Sequence, residues 1–78
     1  MFDYNIAKSY DIEAFKRVCN KIEETLENLS KDKALIDVDT SVIQIYYIEN
    51  EKIKVICDIE VDAVWVESAI ELPFLNDI

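Results

Sequence analysis

ALIDVDTSVIQIYYIENEKIKVICDIEVDAVWV, residues 34–66, is the stretch on which the fold turns. From Ala34 the pattern takes a period of two, and its apolar members are β-branched or aromatic: Ile36, Val38, Val42, Ile43, Ile45, Tyr46, Tyr47 and Ile48. Glu49-Asn50-Glu51-Lys52 interrupts the run, and Asn50 is the residue there best suited to a positive φ in a chain with no glycine. A second β-rich run, Ile53 to Val66, follows at once. The expectation is a long hairpin.

A loop centred on Asn50-Glu51 pairs Ile48 with Ile53, and cross-strand partners share a face. One face then carries Ile36, Val38, Thr40, Val42, Gln44, Tyr46 and Ile48 opposite Ile53, Val55, Cys57, Ile59, Val61, Ala63 and Trp65. Twelve of those fourteen residues are apolar, which marks this as the core face. The reverse face gathers Asp37, Asp39, Asp58, Glu60 and Asp62, with Asp39 opposite Asp62 and Ser41 opposite Glu60. Ile43, Ile45, Tyr47 and Ile56 border these acids on one side, Val64 and Val66 on the other. Like charges directly across a ladder destabilise it, so the fold gains nothing from them that neutral residues would not supply. A turn at Asp39-Thr40-Ser41 would disperse the cluster, and charge on a sheet face also serves simply to discourage aggregation.

Upstream, Ile12, Phe15, Val18, Cys19, Ile22, Leu26 and Leu29 recur at steps of three and four, which predicts a helix over 11–29 with one apolar stripe. Ser9 or Asp11 caps its start. A two-stranded hairpin is marginal alone, and 2–6 and 69–72 are candidates for a third strand. The expected fold is therefore α+β: one N-terminal amphipathic helix on a small antiparallel sheet built around a long hairpin (αββ), in a single domain over 1–78. One helix cannot cover both faces. The apolar remainder on the reverse face is left to a partner, to a second copy, or to Phe74 and Leu75 of the C-terminal segment.

At 78 residues the chain builds one small core. Its 17 acidic and 8 basic residues give a net charge of −9, and no basic residue follows Lys54. Nucleic acid and anionic membranes are poor partners for such a surface, since phosphate binding relies on Lys and Arg. No apolar run approaches the length of a membrane span. Cys19 and Cys57 lie far apart without metal-ligand spacing, and the chain has no His. Buried free thiols in a reducing cytoplasm are expected, with no metal and no cofactor.

Without His, a Gly-rich phosphate loop or a serine set beside a base, the sequence points away from catalysis. Negative charges at regular intervals on a strand resemble a run of backbone phosphates and suit an Arg/Lys groove. The reading is of an acidic, non-enzymatic binding protein that blocks a basic, nucleic-acid-binding partner, as a phage or plasmid inhibitor of host defence of the anti-CRISPR or anti-restriction type would. Its expected contact residues are Asp37, Asp39, Asp58, Glu60, Asp62, Tyr47, Trp65 and Glu67. An immunity protein or antitoxin masking a nuclease toxin, and a homodimeric structural or adaptor protein, are the alternatives.

Overall fold

The computed structural model describes residues 1–32, 34–37 and 41–77. It is a small α+β domain: one helix packed on an antiparallel sheet whose strand segments occupy five positions. The segments are β1 (Phe2–Ala7), β2 (Ser30–Lys31), β3 (Leu35–Asp37), β4 (Ser41–Ile48), β5 (Glu51–Asp58) and β6 (Ala63–Ser68), with α1 (Ile12–Thr25) between β1 and β2. The order across the sheet is β1-β6-β5-β4-β2, and β3 shares with β2 the position beside β4. A 3₁₀ segment, Pro73–Asp77, ends the chain.

α1 starts where the sequence predicts: Asp11 is the N-cap, and its Oδ1 accepts a hydrogen bond from the Ala14 backbone N–H at 3.1 Å. It ends four residues earlier than expected, at Thr25. Leu26 leaves helical φ/ψ and Asn28 sits at φ 59, so the chain turns toward β2 while Leu26 and Leu29 still pack on the core. Ala14, Phe15, Val18, Cys19 and Ile22 form its buried stripe.

The expected hairpin exists, but its register and length are corrected. The turn is Glu49-Asn50, both at positive φ (49 and 70), the type I′ geometry that a two-residue hairpin loop favours. Tyr46 rather than Ile48 therefore pairs with Ile53. This shift of two residues preserves which side chains share a face. A larger correction follows at Asp58. Instead of running on to Val66, the chain reverses through residues 59–62, with Asp62 at φ 59, and returns as β6 along β5.

That reversal exchanges the faces beyond it. Val64, Val66 and Ser68 pair with Cys57, Val55 and Ile53 and are buried beneath the helix, whereas Ala63 and Trp65, expected inside, face outward. β1 completes the sheet against β6, as expected of residues 2–6, with a register irregularity between Asn5 and Ala7. Residues 69–72 form no strand. Leu72 and Leu75 instead join the core on the helix side with Phe74 packed against it, so this segment does not cover the outer face. Val38, Asp39 and Thr40 lie outside the described residues.

Candidate functional site

The helix, Leu72 and Leu75 all pack on one face of the sheet. No helix covers the other face among the described residues. Its cross-strand rows follow from the register. Ile43, Ile56, Trp65 and Asn5 form one row; Ile45, Lys54, Glu67 and Asp3 form the next. Ile45 and Ile56 are buried within these rows, Ile43 and Trp65 are half-buried, and Tyr47 is 37% exposed. Three of the expected contact residues, Tyr47, Trp65 and Glu67, thus share the open face, although Trp65 was expected on the opposite one.

The acids are arranged differently from the expectation. Asp58 closes β5, while Glu60 and Asp62 lie in the turn that follows, so the three do not run along one strand at regular intervals. The reason is local hydrogen bonding. Asp58 Oδ1 accepts from the backbone N–H of Glu60 at 2.8 Å and of Val61 at 3.2 Å, which offers the chain a turn in place of a ladder. Asp62 Oδ1 accepts from the Tyr10 backbone N–H at 2.6 Å and ties the turn to the segment that leads into α1. Asp37 lies opposite Ser41, which in turn lies opposite Asp58, so β3 brings its position into the row that ends at this turn. The expected pairing of Asp39 with Asp62 falls outside the described residues.

Among the described residues none of Asp58, Glu60 and Asp62 makes an ion pair. The two ion pairs there are Lys16–Glu13 and Lys31–Glu23, both on the helix side. Sequence reasoning missed what stands between the acids. Ile59 and Val61, expected in the core, are 52% and 62% exposed at the turn. The aspartates at both ends of a five-residue stretch were the available signal, because Asp favours turns and tolerates positive φ.

Beside the turn, Asp3, Asn5, Val61, Ala63, Trp65 and Glu67 line a shallow cleft of about 390 Å³ on the open face. Its two charged residues are both acidic. A second groove across Glu67 is lined by Met1, Lys52, Lys54, Glu67 and Ala69.

Cys19, Cys57, Ser68 and Tyr46 are engaged in the fold. Burial pushes the Cys19 and Cys57 thiols up, away from the thiolate that reacts or binds metal. Ser68 Oγ donates to the Ile70 carbonyl at 2.6 Å and accepts from the Ile70 N–H at 3.1 Å. Tyr46, fully buried, donates to Glu23 Oε2 at 2.5 Å; burial first and this carboxylate second hold its phenol far above the ordinary range. Among the described residues no group of three or more Cys, Asp and Glu is placed to hold a metal ion, and no helix is long and apolar enough to cross a membrane. Comparison with protein-family models, with curated proteins and with solved structures finds no match for this chain.

Proposed function

We propose that this chain is an acidic, non-enzymatic binding protein that occupies a basic, nucleic-acid-handling surface of another protein, as an inhibitor of host defence or of a nuclease toxin would. The observation that carries this reading is the turn from Asp58 to Asp62. Three carboxylates that make no ion pair among the described residues alternate there with two exposed aliphatic residues, and three side-chain to backbone hydrogen bonds hold the loop in shape.

Each feature has a physical use. The hydrogen bonds fix the loop before binding, which lowers the entropy that docking must overcome. The carboxylates offer their remaining oxygens to Arg and Lys, in contacts that are shorter and stronger than neutral ones. Ile59 and Val61 supply apolar area to remove from water, and a net charge of −9 speeds encounter with a basic partner. Cytoplasmic residence belongs to the same proposal.

Asn and Gln keep an acceptor oxygen at each position, so Asp58→Asn, Glu60→Gln and Asp62→Asn together remove charge while retaining the turn. The triple variant should fold like the parent and bind a captured basic partner roughly 30-fold more weakly, equivalent to about 2 kcal/mol. Binding should also weaken steeply as salt is raised. Unchanged affinity in the variant rules the reading out.

Self-association through the open face is a second reading, favoured by the partial exposure of Ile43 and Tyr47. Light scattering across a dilution series separates the two: a salt-insensitive dimer supports self-association, a monomer the inhibitor.

A further inference from the structure

Within the proposed docking surface, and resting on that reading, we infer that the cleft lined by Asp3, Asn5, Val61, Ala63, Trp65 and Glu67 is a socket for an arginine side chain of the partner. Its construction follows from the pairing of β1 with β6. Asp3 stands directly opposite Glu67, and Asn5 opposite Trp65, on the open face. Two carboxylates facing each other across a ladder repel. Lys54 is the partner of Glu67 on β5, yet among the described residues no ion pair joins them or engages Asp3. A cation held between Asp3 and Glu67 would relieve the repulsion.

The indole selects which cation. Trp65 Nε1 donates to Glu67 Oε2 at 2.9 Å, fixing ring and carboxylate relative to each other and leaving Glu67 Oε1 and both Asp3 oxygens as acceptors. Ala63, one of the cleft's small residues, leaves room beside the ring, and Val61 supplies an apolar wall for an aliphatic stem. A guanidinium is planar, weakly hydrated and forked; it stacks on an aromatic face while donating to two carboxylates at once. A lysine ammonium is compact and more strongly hydrated, and does only part of this. Lys52 and Lys54 line the separate groove across Glu67.

Trp65 is the only tryptophan, so its fluorescence reports on the cleft directly. The full chain is titrated with acetyl-Gly-Arg-Gly-amide, with the lysine peptide, and with the peptide carrying citrulline, the neutral analogue of arginine. The arginine peptide should give a saturable change at roughly millimolar concentration, the lysine peptide should bind several-fold more weakly, and the citrulline peptide should give none. Asp3→Asn and Glu67→Gln, the latter retaining an acceptor for the indole N–H, should each weaken the arginine peptide about five- to tenfold. No saturation up to about 50 mM, or an equal response to citrulline, overturns the socket. With a captured partner, binding lost on neutralising Asp58, Glu60 and Asp62 but unaffected by Asp3→Asn and Glu67→Gln overturns the socket alone and leaves the inhibitor reading standing.

Discussion

The two faces of this sheet are made from the same strands and come to opposite ends. On the helix side Tyr46, Ile53, Val55, Cys57, Val64 and Val66 are all fully buried. On the open side alternate residues of the same strands range from buried Ile45 and Ile56 to exposed Tyr47, with Lys54, Glu67 and Asp58 among them. On the first side a second layer covers the sheet; on the other, no helix does among the described residues. The helix-side residues therefore hold the fold, while Tyr47, Trp65, Glu67 and the turn at its end have no second layer over them among the described residues.

Truncations test that division most strongly. Ile22→Ala or Ile53→Ala, each at 0% exposure, should cost about 2–5 kcal/mol in chemical denaturation. In a domain of this size such a loss is a large share of the whole stability. Tyr47→Ser or Glu67→Gln should change it by under about 1 kcal/mol. Comparable losses from both faces would mean that the open face is structural.

A smaller effect is expected where the helix side is pinned at its edge. Tyr46→Phe removes the O–H that Glu23 accepts, and should cost about 1.5 kcal/mol, as for other hydrogen bonds to charged groups. It should also alter the acid limb of stability. The Tyr46 hydrogen bond, and secondarily Lys31, hold the Glu23 carboxyl below its ordinary value of 4.5. A lowered folded-state value means stability present above pH 4.5 and lost as pH falls through the folded-state value. In Tyr46→Phe, denaturation midpoints measured from pH 6 to 3 should fall less steeply than in the parent.

Smaller again is the contribution of the acidic turn. Asp58→Ala leaves the Glu60 and Val61 N–H groups without their acceptor and should cost about 1 kcal/mol, whereas Asp58→Asn should cost under about 0.5. Equal losses would show that charge rather than hydrogen bonding shapes the turn. At the end of the scale, Ile59→Ser and Val61→Ser should leave thermal midpoints nearly unchanged, because half or more of each residue is already in water. If both also leave partner binding unchanged, the turn loses its apolar role in docking.

Much of the helix side was legible beforehand. The three- and four-residue steps mark Phe15, Val18, Cys19 and Ile22 as one stripe, and the alternation in β4 and in β5 puts Val42, Gln44 and Tyr46 with Ile53, Val55 and Cys57. The open face was legible only in part. Tyr47 stands where alternation puts it, but Trp65 and Val61 do not, and Glu67 follows Trp65 outward, because the run from Ile53 to Val66 contains no glycine or proline to announce a reversal. Its β-branched residues argue for a strand straight through the turn. Two aspartates override them by accepting backbone hydrogen bonds, an energy that exists only once the loop has closed.

The sequence by itself determined which residues share a face within each strand, the apolar stripe of the helix, and an acidic balance that basic residues do not offset after Lys54. These are local periodicities and sums. Tertiary structure decided where the chain reverses, and with it that Val64 and Val66 go inward while Trp65 comes out beside Asp3 and Glu67. Alternation fixes parity only along an unbroken strand; beyond a loop the phase depends on how many residues the loop consumes and on which partner strand receives the chain.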